Sequence, residues 1–158
     1  MITQPSDVEG LTKLGRKAEP SKNLEAFPNR APGRYYLVSL ATDEFTCLCP
    51  VTGQPDFANI RIDYVPDEKV VESKSLKLYL WSYRNEGAFH EHVVNQILDD
   101  LVKALDPHWC RVTGEFNIRG GIGIDVQTEY VKTPQAREQW MSRVPTSKSR
   151  GDDSNGQQ

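Results

Sequence analysis

The chain has 158 residues, 37% of them hydrophobic, and a formal net charge of −3. That length supports one domain with a real core rather than two, and the acidic balance argues against a broad nucleic-acid footprint, which makes a domain basic. No stretch approaches the roughly 18 apolar residues of a membrane span, residues 1–7 lack the basic and apolar regions of an export signal, and the three cysteines are an odd number, so a cytoplasmic protein with reduced thiols is expected.

Residues 1–32 carry Pro, Gly, Lys and Glu with little periodicity and are read as an N-terminal arm that is loosely ordered or ordered only on a neighbour. Residues 33–40, rich in Tyr and Val, read as a short strand. Residues 43–56 hold two prolines and a glycine and read as a loop, in which Pro50 keeps Cys49 out of helical geometry. Residues 57–65 alternate apolar and polar side chains, the period of a half-buried strand. A turn at 66–68 and the segment 69–72 lead into a helix whose Leu76, Tyr79, Leu80 and Tyr83 fall at i, i+3, i+4 and i+7. That helix stops near Gly87, and a second covers 89–105 with an apolar stripe of Val94, Ile97, Leu98, Leu101 and Leu105. Residues 109–118 alternate again, Arg119-Gly120-Gly121 makes a tight turn, and 122–131 pairs back as a hairpin. From Thr133 onward the chain is polar, and 133–158 is expected to be a disordered tail. The order ββααββ over 33–132 predicts an α+β domain, a four-stranded antiparallel sheet with two helices on one face. Its free edges invite pairing with neighbouring subunits.

Several residues could carry chemistry. A cysteine in a Pro/Gly loop is more accessible than one in a strand, which singles out Cys49, although most cysteines are small buried hydrophobes. Asp56, seven residues on, is either a turn former or a general acid facing that thiol. Glu72 and Ser73 stand where an extended segment becomes a helix, and Lys74 and Lys77 share the face of its first turn. A helix N-terminus with added lysines is an anion site, while a bare lysine pair is more often a solvated face. His90-Glu91-His92 invites a metal reading, but i and i+2 on a helix do not face each other and the H-E-x-x-H pattern is absent. Arg119 is either part of a turn or a further phosphate contact.

Four strings together resemble one known family: residues 45–57 (Phe-Thr-Cys-Leu-Cys-Pro-Val-Thr-Gly-Gln-Pro-Asp-Phe), 72–79 (Glu-Ser-Lys-Ser-Leu-Lys-Leu-Tyr), 89–91 (Phe-His-Glu) and 119–122 (Arg-Gly-Gly-Ile). They are similar to those of the NADPH-dependent 7-cyano-7-deazaguanine reductases, nitrile reductases of queuosine biosynthesis in tRNA, in their short single-module form. The resemblance implies a tunnelling fold, in which ββααββ subunits assemble into rings, here two stacked rings with active sites between neighbours. It implies reduction of the nitrile to 7-aminomethyl-7-deazaguanine through a covalent cysteine thioimide, using two NADPH per turnover and no catalytic metal. By the same resemblance Cys49 is the nucleophile and Asp56 the proton donor. Glu72 and Glu91 grip the guanine-like edge, Val71, Ser73 and His90 complete the pocket, and Lys74, Lys77 and Arg119 meet the cofactor's phosphates. Small-molecule substrate, absence of direct nucleic-acid or membrane partners, and a homo-oligomer follow from it. The alternatives are a zinc-dependent cyclohydrolase-like enzyme of the same fold, using Cys47, Cys49, His90 and His92, and a non-catalytic purine-binding oligomer.

Overall fold

A computed structural model describes residues 18–141. Alternation of apolar and polar residues builds strands β1 (Ala26–Pro28), β2 (Val38–Leu48), β3 (Pro55–Val65), β4 (Lys69–Val71), β5 (Trp109–Arg119) and β6 (Ile122–Val131). The 3.6-residue stripes build α1 (Ser73–Trp81), prolonged by a 3-10 turn at Ser82–Asn85, and α2 (His90–Leu105); a third helix, α3, spans Pro134–Met141. Four strands form one antiparallel sheet in the order β2-β3-β5-β6, and β1 pairs with β4 apart from it. The helices α1 and α2 lie on one face. There Ile60, Ile62 and Tyr64 of β3 and Val112 and Phe116 of β5 meet Val94, Ile97 and Leu101 of α2 in the main core. No described helix is long and apolar enough to cross a membrane.

The ββααββ order is as expected, but three boundaries differ for physical reasons. The second strand starts at Val38 and runs on to Leu48, through residues expected to form a loop. A bulge between Thr42 and Phe45 absorbs the polar Asp43-Glu44 pair without ending the pairing, so Cys47 sits in a strand and is fully buried. The expected arm is held down from Ser21 onward, whose N–H donates to Leu78 O at 3.1 Å. Glu25 O accepts from Glu72 N at 2.9 Å, Asn29 N donates to Glu68 O at 2.8 Å, and Lys22 Nζ pairs with Glu86 at 2.8 Å while standing 3.1 Å from the centre of the Tyr83 ring. The expected disordered tail begins instead with α3, whose Ala136 packs on Trp109 and Val65. The rest of the expected arm and tail, residues 1–17 and 142–158, lies outside the described residues.

The helix packs closely on the sheet at Gly114. A Cβ there falls 2.7 Å from Val94 Cγ2 and within 3.1–3.2 Å of Phe116 and Ile60. Gly114→Ala is therefore expected to push α2 off the sheet and to destabilise the protein by about 1–3 kcal/mol, the usual range for overpacking a dense core. An unchanged urea midpoint would contradict this packing.

Candidate active site

Two bulges at the same end of the sheet create the site. A residue's face on a sheet alternates with period two, so one extra residue reverses the face of everything after it. Between the pairs Thr42↔Ile60 and Phe45↔Ala58, β2 advances three residues while β3 advances two. Phe45 and Cys47 thereby turn to the helix side, and Cys49, two residues further, continues their row past the strand end. On β5 the pairs Phe116↔Ile124 and Arg119↔Ile122 enclose the same kind of extra residue, followed by Gly120 and Gly121 at φ 58° and 81°. Arg119 is thus re-aimed toward Asp56, which lies on the helix side of β3 opposite Cys47.

Residues 49–54 form a closed turn. Cys49 N donates to Gln54 O at 2.8 Å, and Gly53 N, at φ 67°, donates back to Cys49 O at 2.9 Å. The turn folds Thr52 onto the sulfur. The Thr52 hydroxyl first, then the N–H groups of Thr52 and Val51, hold the Cys49 thiol below its ordinary pKa, because each bond donated to sulfur stabilises the thiolate over the thiol. Burial does the opposite to the other two cysteines, pushing Cys47 up to about 11 and Cys110 up to about 12. Cys49 is also the only one of the three that is not buried, so the reactive thiolate belongs to it. Thr52→Val removes the leading hydrogen bond. The Cys49 pKa then rises toward that of a free thiol, and alkylation by iodoacetamide at neutral pH slows while its pH profile moves to higher pH. A profile that stays in place would remove Thr52 from this role.

Asp56 is buried, with its side chain 4% exposed. Arg119 donates to Oδ1, and His90 Nε2 lies 3.3 Å from Oδ2. His90 opens α2 and is fixed by stacking flat on Phe116, with ring centres 3.9 Å apart and planes 13° from parallel. Cys49, Asp56, His90 and Arg119 therefore form one cluster, and Thr52, Gln54 and Phe116 belong to it as well; Glu91 follows His90 in the first turn of α2, exposed at the same end. Thr52, Gln54 and Phe116 had no sequence signal beyond membership of the loop and strand strings.

Val71, Glu72, Ser73 and Lys74 are at the opposite end, and Lys77, one turn further along α1, lines a groove with Thr42 and Phe45. Val71 N donates to the Tyr64 hydroxyl at 3.1 Å, and Tyr64 is eight residues from Asp56 along β3, roughly 25 Å at the rise of a strand. Within one chain these residues do not join the cluster around Cys49. Val71 has its side chain in the core. The Glu72 carboxylate caps α1, accepting from Lys74 N at 2.9 Å and Ser75 N at 2.6 Å, and these bonds hold it below the usual carboxylate range. Two of the N–H groups read from sequence as an open anion site, those of Lys74 and Ser75, are thus already satisfied by Glu72. Ser73, Lys74 and Lys77 are exposed. That groove, of about 660 Å³, runs between α1 and β2, with Leu40 and Phe45 at its base and Lys77, Trp81 and Arg84 on its wall; it does not reach Cys49.

Among the described residues no group of three or more His, Cys, Asp or Glu side chains has metal-holding geometry. Cys47 is sealed in the core and His92 faces outward, edge-on to Phe89 at 5.7 Å, so the four residues of the zinc reading do not converge.

The family model described as QueF-like protein matches residues 55–135. A protein of Syntrophus aciditrophicus named NADPH-dependent 7-cyano-7-deazaguanine reductase is 63% identical over 130 residues, covering 82% of this chain and 93% of its own. One of the same name from Alkalilimnicola ehrlichii is 59% identical over 114 residues, covering 72% and 88%. Among solved structures, the apo form of an archaeosine synthase, QueF-Like, superposes with a TM-score of 0.57 at 25% identity, over 61% of this chain and 94% of that one.

Proposed function

This chain belongs to the QueF-like family and reduces the nitrile of 7-cyano-7-deazaguanine with NADPH, and from that premise we propose which of its residues carry the reaction. The observation that supports the assignment best is the pairing of a thiol of lowered pKa, Cys49, with the buried carboxylate of Asp56 on one face of the sheet.

A nitrile carbon is a poor hydride acceptor. Cys49 adds to it: the S–H bond breaks, an S–C bond forms, and C≡N becomes a C=N–H thioimide. Asp56 carries the proton to nitrogen. Covalent addition divides one hard reduction into easier steps. NADPH supplies hydride, and the four electrons between nitrile and amine require two equivalents. Cys49 leaves as thiolate after the first delivery, and its low pKa makes it a good leaving group. The flat His90–Phe116 stack lies beside Asp56 and in this reading helps keep water from the imine before its reduction.

The guanine-like edge of the substrate offers N–H donors that suit carboxylates. Glu91 is at the correct end of the chain, and Glu72 is not. Glu72 keeps a second lone pair on each oxygen after capping α1, so it can accept from a ligand presented by another subunit. The active site is accordingly shared: one copy supplies Cys49, Asp56, His90 and Glu91, and its neighbour brings Val71, Glu72 and Ser73 with Lys74 and Lys77 for the dinucleotide phosphates. The open edges of β2 and β6 offer the pairing that closes subunits into a ring. Incubation with 7-cyano-7-deazaguanine, followed by intact mass and by NADPH oxidation, tests the reading. Neither added mass nor oxidation would end it.

A further inference from the structure

Arg119 was expected to meet the phosphates of the cofactor, yet its guanidinium is turned inward. One nitrogen donates to Asp56 Oδ1 and the other to the side-chain oxygen of Gln54 at 2.5 Å. Gln54 is itself tied to the nucleophile, since its backbone oxygen accepts from Cys49 N at 2.8 Å. The far oxygen of Asp56 lies 3.3 Å from His90. Asp56 is thus held from the β5–β6 hairpin on one side and from α2 on the other. Gln54 links the hairpin's hold to the loop that carries the sulfur.

An arginine suits this place for two reasons. Its planar fork spans two acceptors on different side chains, which a lysine ammonium does not do with the same geometry. Its charge is also permanent, so it can orient a carboxylate while a proton passes through without taking the proton itself. The Arg119 side chain is 39% exposed, and an ion pair open to water adds little to stability. What remains for the contact to do is geometric.

We propose that Arg119, itself held by Gln54, is a positioning residue for Asp56 in the step that joins Cys49 to the nitrile. The proposal rests on the assignment of Cys49 and Asp56 above. During that step the S–H bond breaks, the S–C bond forms, and the proton moves by way of Asp56 to the nitrile nitrogen with no change of oxidation state. Arg119 keeps its charge throughout.

Thioimide formation without NADPH isolates the step, because a group that serves only the cofactor has no part in it. The rate of mass gain on 7-cyano-7-deazaguanine alone is measured for the unaltered protein, Arg119→Ala, Arg119→Lys and Gln54→Ala. Arg119→Ala is expected to slow it about 10- to 100-fold, the scale of an ångström-sized misplacement of a reacting group. Arg119→Lys should recover part of the loss, and Gln54→Ala should slow the step in the same direction by less. Gln54 is exposed, so its variant folds even if Arg119→Ala does not, and it carries the test alone in that case. Unchanged adduct rates in Gln54→Ala and Arg119→Ala, with a raised KM for NADPH in the latter, would overturn the proposal and return Arg119 to the cofactor, leaving the Cys49 reading intact. No adduct in the unaltered protein would instead remove the reading on which the proposal stands.

Discussion

Cys49→Ala is expected to give a folded protein that gains no mass from 7-cyano-7-deazaguanine and oxidises no NADPH in its presence. The fold should survive because Cys49 is only partly buried, at the edge of a loop whose closing bonds are made by backbone atoms. The activity should not survive, because no other group can take over. Cys47 is the nearest thiol, but it is sealed in the core and its pKa is pushed up to about 11, leaving almost no thiolate at neutral pH. Loss of a covalent nucleophile that works with an acid–base partner lowers turnover by about 10⁴-fold or more. Intact mass after incubation with the nitrile, with NADPH absorbance followed in parallel, checks both halves. Mass gain in the alanine variant would place the nucleophile elsewhere.

The second large effect is a recovery rather than a loss. Glu72→Gln alone is expected to lower turnover by about two orders of magnitude or more, since a buried polar edge of the substrate then loses its charged acceptor. Glutamine still offers an oxygen to the first turn of α1, so the helix should stay formed. Cys49→Ala and Glu72→Gln lie at opposite ends of the subunit. In oligomers assembled from equal amounts of the two, about a quarter of shared sites combine an intact Cys49 with an intact Glu72 from the neighbour, by random placement around a closed ring. Co-refolding two inactive proteins should therefore restore about a quarter of the activity. Cys49→Ala mixed with Asp56→Asn is the control. Both lesions fall on the same end, every site keeps one of them, and nothing should return. If the first mixture is as inactive as the second, the site lies within one subunit and the shared arrangement is wrong.

Much of this was legible without coordinates. The helix stripe Val94, Ile97, Leu98, Leu101 and Leu105 is buried as its spacing requires, and the Gly120-Gly121 turn joins two strands as its positive φ preference requires. Both signals are local, since helical period and turn conformation are properties of a few consecutive residues. Cys49 and Asp56 were picked out by residue type, loop chemistry and a specific string, and their convergence followed from β2 and β3 being neighbours in sequence. The boundaries that differ are those decided by a pairing strand rather than by the local sequence. The segment around Ala26 is a strand only because Val71 is there to pair with it, and residues 43–48 remain a strand only because Ala58 and Phe57 receive the chain after the bulge.

The sequence by itself determined the order of the four sheet strands and the two helices between them, the apolar faces of those helices and the residue types available for the chemistry. Tertiary structure alone decided which way those residues point and which of them meet. The face of a strand residue depends on how many residues its strand has advanced relative to its partner. Two single-residue bulges, invisible to periodicity, turn Cys49 and Arg119 to the side where Asp56 waits. Distance is likewise a property of the folded chain. Glu72 stands sixteen positions after Asp56 in sequence, yet a long strand carries it to the other end of the sheet, beyond the reach of any side chain.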